Sequence, residues 1–285
     1  MAIRTLPRTP PLPVRLWRTY VTDVRTTADA ESDLYREVTP ETKATRDMVA
    51  ILVTSAVVLL IRDYASRDGQ WLVTLLHTIG LGGAAGTVDT WLTTSSSAQF
   101  NGLALWAAVH VVAYVAIPVF VIRYVIGGRV RDFGLRIKGS ASHVWVYALL
   151  LVVSVPFIIA VSSSEPFLAK YSFYDLAPGE SLWPFMWMWW LLYALQFAAL
   201  EFFFRGFMVH GLRLRLGYAA IFVMMVPYVM LHFPKPVLEA VAAMFGAIVL
   251  GTLSLKTRSV WWGAALHISI AGVMDLLALF HKGLL

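Results

Sequence analysis

Long apolar stretches alternate with short polar or basic segments along most of this chain. Apolar stretches occupy residues 46–61, 102–122, 144–162, 183–212, 218–231, 237–255 and 260–280. Because a helix needs about 20 residues to cross the hydrocarbon core of a bilayer, this pattern predicts membrane-spanning helices. The stretch 71–85 is apolar but rich in glycine at its end, so we interpret it as an interfacial or re-entrant piece. The sequence therefore predicts an all-α fold, a polytopic transmembrane helical bundle with about seven to eight spans.

The composition is that of a membrane protein. Hydrophobic residues make up 59% of the 285 residues and charged residues 14%, which is more apolar side chain than one soluble core can bury. The net charge of +6 is explained by Arg-rich loops, so the expected partner is the lipid bilayer and no nucleic acid is needed. The chain contains no Cys, which excludes disulfides, thiolate metal sites and a cysteine nucleophile.

The amino-terminal residues 1–45 are rich in Arg and Pro, and no apolar run precedes Met48. This segment is therefore not a cleavable signal peptide, and we interpret it as a cytoplasmic basic tail. Two states of the tail fit the sequence equally well: it lies on anionic lipid through Val14, Trp17 and Tyr20, or it is flexible.

Residues 46–285 form the predicted transmembrane domain. The short loops 123–138, 213–215 and 256–258 carry most of its Lys and Arg. By the positive-inside rule these loops and the amino terminus face the cytoplasm. We expect an integral protein of a bacterial inner membrane with a cytoplasmic amino terminus, and its oligomeric state stays open.

Glu201 and Arg205 lie inside the apolar stretch 183–212. Four residues apart on a helix, they share one face and can pair. Each charge at that depth costs roughly 2.5 to 3.5 kcal/mol, so such residues are usually paired and functional. A purely structural ion pair is the alternative interpretation. Gly206 follows Arg205 and permits a neighbouring helix to approach closely.

Three further polar residues follow in the last third of the chain. His232 stands at a break marked by two prolines, His267 lies early in the last apolar stretch, and Asp275 lies eight residues later on nearly the same helical face. A carboxylate that takes a proton from water, with histidines that orient the water or stabilise an oxyanion, would hydrolyse an amide bond. Zinc is a competing interpretation, but the H-E-x-x-H pattern is absent, and we predict neither a metal nor another cofactor.

The order of these residues resembles a known family, the CAAX-type and bacteriocin-processing intramembrane glutamic proteases. The resemblance rests on three motif regions and a lead-in, and it covers roughly 132–275 within a family-like core of about 132–280. The elements are Glu201-x-x-x-Arg205-Gly206, Tyr228-x-x-x-His232, the stretch 257–267 ending in His267, and the lead-in Asp132-Phe133-Gly134-Leu135-Arg136.

The resemblance implies a role for each matching residue. Glu201 stands in the place of the family's second glutamate, Arg205 in that of its arginine, and His232 and His267 in those of its two histidines. The chain departs from the family at two positions. Leu200 stands where the family has its first, water-activating glutamate, and Ala271 stands where it has an Asn or Asp four residues after the third-motif histidine.

These departures lead to specific expectations. We expect Glu201 to act as the base, held ionised by Arg205, and Asp275 to accept a hydrogen bond from His267 in place of the missing residue at 271. The implied function is that of an intramembrane endopeptidase that cleaves a membrane-associated or lipidated protein by Glu-activated water. An inactive relative that acts as a membrane scaffold or maturation factor is the alternative, and a transporter is disfavoured because no internal repeat is found.

Overall fold

A computed structural model describes residues 10–285 as a bundle of helices. Fourteen α-helices follow one another, several of them continued by π-helical turns. They are α1 Leu12–Trp17, α2 Asp23–Val38, α3 Glu41–Ala65, α4 Gln70–Thr78, α5 Gly82–Thr93, α6 Ala98–Val111, α7 Ile117–Phe120, α8 Val144–Val161, α9 Glu165–Leu168, α10 Phe185–Glu201, α11 Gly211–Leu216, α12 Ala220–Met230, α13 Val237–Thr257 and α14 Trp261–His281. The π-helical segments are Arg18–Thr22, Val112–Ala116, Val121–Ile126 and Phe202–His210.

Six stretches of residues 10–285 are long and apolar enough to cross a membrane. One of them, Phe185–Met230, has 46 residues and turns back at Gly217, where φ is +58°. This stretch therefore contains two helical segments, one before and one after Gly217, and the six stretches together contain seven helical segments. The predicted all-α polytopic bundle is confirmed, and this protein is an integral membrane protein.

The boundaries at the amino-terminal side differ from those expected. Helix α3 starts at Glu41, inside the segment interpreted as a tail, and its 25 residues are long enough to span. The predicted re-entrant piece at 71–85 forms two short helices, α4 and α5, which pack against each other. The tail itself is helical from Leu12 to Val38, and its first nine residues lie outside the described part of the chain.

The centre of the bundle is the π-helical segment Phe202–His210, in which every residue is buried. Helices α12 and α13 form a hairpin that packs against it, whereas α10, which leads into it, packs against α6 and α14. Phe203 of this segment stacks on Tyr114, which lies in the π-helical segment Val112–Ala116 after α6, with 5.0 Å between ring centroids. The charged pair Glu201 and Arg205 is thereby placed in the buried centre of the bundle.

The loop that contains the 132–136 lead-in folds back under this segment. The Val260 N–H donates to the Gly134 carbonyl at 2.8 Å, and the Arg136 N–H donates to the Arg258 carbonyl at 3.1 Å. Gly134 has a φ of +78°, and a Cβ there would lie 2.9 Å from the His210 ring, so the close approach requires glycine. The loop ties the start of α14 to the end of the π-helical segment.

Helix α2 docks on the same end of the bundle, which we call the basic end because the loop 123–138 and the turns 213–215 and 256–258 meet there. Asp29 accepts a hydrogen bond from the Tyr218 N–H at 2.8 Å. Glu31 forms ion pairs with Arg213, at 3.3 Å, and with Arg258. The acidic side chains of α2 thus neutralise two Arg residues that follow spanning helices.

Candidate active site

Glu201 is the last residue of α10, and the π-helical segment starts at the next residue. π-helical turns inside α-helices occur frequently at functional sites. The Arg205 Nη1 lies 2.9 Å from the Glu201 Oε1, and the two side chains are 0% and 1% exposed. The N–H groups of Arg205 do not point at this oxygen, so the contact is an ion pair without a hydrogen bond. The guanidinium also lies 4.1 Å from the centre of the Tyr228 ring, a cation–π contact.

His267 joins Glu201 from the opposite helix, α14. Its Nδ1 lies 2.7 Å from the Glu201 Oε1, and its ring stacks on Phe197 with 5.4 Å between centroids. Because an ionised carboxylate can only accept, Nδ1 carries the proton. The Nε2 of the same ring lies 3.0 Å from the Tyr228 hydroxyl. Both nitrogens of His267 are therefore engaged, one by α10 and one by α12.

His232 lies one turn after Tyr228, in the turn between α12 and α13. Its Nδ1 donates to the Tyr228 carbonyl at 2.9 Å, and its ring lies 4.9 Å from the Tyr228 ring. Burial, and after it the charge of Lys235, lower the pKa of His232 to about 4. The ring is therefore neutral at pH 7.

The second oxygen of Glu201 faces the backbone of α14. Oε2 is buried without a hydrogen-bond partner among the described residues, and a Cβ built on Gly263 would lie only 2.7 Å from it. Glycine at 263 is thus what permits the carboxylate to lie so close to α14 and to His267. The role of Gly263 was not predicted from the sequence, because no spacing rule points to it.

Asp275 is not part of this cluster. Its Oδ2 accepts a hydrogen bond from the Trp190 Nε1 at 3.1 Å, and its side chain is fully buried. The expectation that Asp275 accepts a hydrogen bond from His267 is wrong. Two helical turns separate the residues, about 12 Å along the axis, and α14 shows no break that would close this distance.

Comparison with known proteins agrees with the motifs. Residues 182–273, about a third of the chain, match the family model described as "Type II CAAX prenyl endopeptidase Rce1-like". This segment is Rce1-like. The resemblance inferred from the motifs is confirmed, and the match contains Glu201, Arg205, His232 and His267 but ends before Asp275. No curated protein and no solved structure matches the chain.

Within the Rce1-like segment, the two departures from the motif pattern are filled by apolar packing. Leu200 is 8% exposed and belongs to the central apolar cluster with Phe203. Ala271 is 7% exposed and packs with Trp189 and Tyr193. Neither position places a polar atom in the site.

Tyr228 is the polar residue of the site whose role was not predicted from the sequence. The spacing of the second motif marked the position only as aromatic, whereas the structure uses its hydroxyl on His267, its ring on Arg205 and its carbonyl on His232. A hydroxyl on an aromatic residue one turn before a motif histidine was the available signal. In residues 10–285 no group of three or more His, Asp and Glu side chains is arranged to hold a metal ion, and metal independence stays a prediction.

Proposed function

We propose that this protein is an intramembrane endopeptidase that hydrolyses a peptide bond in a membrane-associated or lipidated protein. The single observation that carries the proposal is the 2.7 Å contact between the Glu201 carboxylate and His267, two motif residues that α10 and α14 bring together inside a segment matching a family of prenyl endopeptidases. Polar groups so deep in a membrane are retained where they serve a function.

Hydrolysis of an amide needs a proton acceptor for water and a stabiliser for the oxyanion. His232 and His267 are the two partly exposed groups of the cluster, and Glu201 is almost fully buried behind His267. In this proposal Glu201 acts mainly through His267, whose ring it orients. Direct activation of water by Glu201 is a poorer fit, because Oε1 already receives both His267 and Arg205.

Arg205 keeps the site charge-balanced. Its guanidinium compensates the Glu201 carboxylate in a layer from which water is excluded, and it rests on the face of the Tyr228 ring. A carboxylate that lost this partner would become neutral or would move toward water. Arg205 therefore has an indirect role, since it preserves the charged form that His267 contacts.

The proposed orientation puts the basic end and the amino terminus in the cytoplasm, because positively charged loops are retained on that side. His267 lies six residues along α14 from Trp261, which is about 9 Å from the basic end of that helix. His267 would then lie in the cytoplasmic half of the bilayer, and His232, in the turn at the far end of α12, would lie deeper. A bacterial inner membrane is the proposed location.

An inactive scaffold is the second candidate, and one observation favours it. Leu200 and Ala271 bring no titratable or polar side chain to the two positions where the family has them. A protein of this kind would bind a transmembrane or lipidated peptide without cleaving it. Substitutions of Glu201 and His267 would then leave its binding unchanged.

The experiment compares purified full-length protein with four variants on a candidate transmembrane peptide. We expect cleavage by the wild type and by His281→Ala, and loss of cleavage in Glu201→Gln and His267→Ala. His281 is the matched control because it lies on the same helix and is hydrogen-bonded to Ser162 at 2.9 Å, far from Glu201. Cleavage by Leu200→Glu alone, with an inactive wild type, would establish the scaffold instead.

A further inference from the structure

We infer that Tyr228 positions both histidines, and that it thereby makes the Nε2 of His232 the proton acceptor of the site. This inference rests on the proposed peptidase function. It assigns the base of a site in which the family's first glutamate is replaced by Leu200. The three basic groups of the cluster, Glu201, His232 and His267, differ in the lone pairs that they leave free.

Glu201 is the least accessible of the three. Its Oε1 receives the His267 Nδ1 at 2.7 Å and the Arg205 Nη1 at 2.9 Å. Its Oε2 is buried against Gly263, where even a methyl group would not fit. A water molecule that attacks a substrate carbonyl has no open approach to either oxygen, since a base must come within about 3 Å of the proton that it takes.

His267 is occupied at both nitrogens. The Glu201 carboxylate fixes the proton on Nδ1, so the neutral ring has its lone pair on Nε2. That lone pair accepts the hydroxyl hydrogen of Tyr228 at 3.0 Å. His267 is thus held in one tautomer by one partner on each side, as a carboxylate and a hydroxyl hold an imidazole in other hydrolytic sites.

His232 has the opposite pattern. The Tyr228 carbonyl can only accept, so Nδ1 of His232 carries the proton and the lone pair is on Nε2. No side chain or backbone donor among the described residues bonds this Nε2. Of the two histidines, only His232 has an imidazole lone pair, on Nε2, that is left for a water molecule.

Tyr228 sets both tautomers because its carbonyl and its hydroxyl face different histidines. Its ring is fixed in turn by the guanidinium of Arg205 on one face and by Phe204, whose ring meets it edge-on at 5.2 Å. The substitution Tyr228→Phe would preserve these ring contacts and remove the hydroxyl. Tyr228 is therefore a positioning residue whose two functions can be separated by substitution.

The proposed step balances as follows. A water O–H bond breaks and its proton moves to the Nε2 of His232. The water oxygen forms a bond to the substrate carbonyl carbon, and the π electrons of the carbonyl move to the carbonyl oxygen. When the tetrahedral intermediate collapses, the C–N bond breaks and the proton passes from His232 to the leaving amine. No oxidant, reductant or co-reactant other than water is consumed.

The first test is spectroscopic and needs no substrate. Full-length protein labelled with ¹⁵N in its imidazoles is measured in detergent at pH 7, and the signals are assigned with His232→Gln and His267→Gln. We expect His232 to have a protonated Nδ1 and a bare Nε2. Tyr228→Phe should shift the Nε2 signal of His267 and leave that of His232 unchanged. A proton on the Nε2 of His232, or an unchanged His267 signal, would overturn the positioning role.

The second test uses cleavage of a candidate transmembrane peptide. His232→Gln should lower kcat by about 10² to 10⁴, the contribution of a general base, and Tyr228→Phe should lower kcat by a smaller factor with KM unchanged. Equal activity of wild type and His232→Gln would refute the assignment of the base. An inactive wild type with the expected imidazole spectrum would refute the proposed function, and the proton-acceptor role with it, while the positioning role of Tyr228 would stand.

Discussion

The carboxylate of Glu201 and the backbone of Gly263 lie in direct contact across the α10–α14 interface, with 2.7 Å between Oε2 and the place of a Cβ on residue 263. Gly263→Ala should therefore push the carboxylate away from His267 without changing any charge. A displacement of about 1 Å can cost on the order of a hundredfold in rate. We expect a loss of peptidase activity of that order, measured as initial cleavage rates in detergent.

Gly272→Ala is the matched control for this substitution. Gly272 lies on the same helix, and a Cβ there would meet nothing within 4 Å. The change should leave the cleavage rate unaltered and, as a Gly-to-Ala change at a partly buried helix position with room for a methyl group, raise the helical stability slightly. If Gly263→Ala were as active as Gly272→Ala, the contact between Glu201 and α14 would have no role in turnover.

Arg205→Leu should destabilise the protein because it leaves the Glu201 carboxylate uncompensated in a layer without water. Breaking a buried pair by removing one partner costs roughly 3 to 5 kcal/mol. The double variant Glu201→Leu, Arg205→Leu should recover much of this stability and none of the activity. Thermal unfolding followed by Trp fluorescence measures the stability of the single and the double variant. Arg131→Leu is the control: it removes an exposed ion pair with Asp132 and should leave the melting temperature nearly unchanged.

Asp275→Asn should leave turnover unchanged. The amide oxygen of Asn can still accept the hydrogen bond from Trp190, and His267 has its partners elsewhere. His267→Ala in the same assay should abolish cleavage. A severe loss of kcat in Asp275→Asn with normal thermal stability would contradict the separation of Asp275 from the site.

The sequence was sufficient to predict the spanning helices and the residues that meet between α10 and α14. Periodic apolar runs and rare intramembrane charges are local signals, and Glu201, Arg205 and His267 are of this kind. The expected hydrogen bond between Asp275 and His267 was wrong because helical spacing gives the face on which a residue lies. It does not give the neighbour that packs on that face. Trp190 covers it here, two turns from His267.

The contacts of Tyr228 with His267 and Arg205 and the docking of α2 were not predicted, for a different reason. Each depends on contacts between residues far apart in the chain, such as the Asp29 carboxylate with the Tyr218 N–H. Polar residues in an Arg-rich amino-terminal segment give no indication of which turn they will reach. The helical character of 12–38 was likewise not predicted, because that segment contains no long apolar run.

The pH dependence of cleavage should report His232. Its neutral form is the proposed acceptor and its pKa is lowered to about 4, so kcat/KM should stay level from pH 8 to pH 6 and fall only as the pH approaches 4. Lys235 and Glu239 on the α13 side and His267 on α14 are the charged or titratable groups around it. Lys235→Gln removes a charge that lowers the pKa, so it should move the midpoint upward. A midpoint near 6.5 in the wild type would exclude a desolvated His232 as the base.

Asp29→Ala should loosen the amino-terminal helix. It removes the acceptor of the Tyr218 N–H, and the loss of this hydrogen bond should lower the stability of the docked helix by about 1 kcal/mol. An added protease should then cleave within 12–38 faster than in the wild type. Asp33→Ala is the matched control, since Asp33 forms only an exposed ion pair with Arg36 on the same helix. Equal protease sensitivity of the two variants would mean that Asp29 does not hold α2 in place.

The docking of α2 also imposes an order on biosynthesis. This helix is translated before the residues that receive it, since Arg213 ends the fourth of the seven segments and Arg258 follows the sixth. Glu31 therefore gains its first partner with the fourth segment and its second only after the sixth. A truncated or misinserted chain would leave the acidic side chains of α2 without their partners, whereas a finished chain covers them by closing on itself.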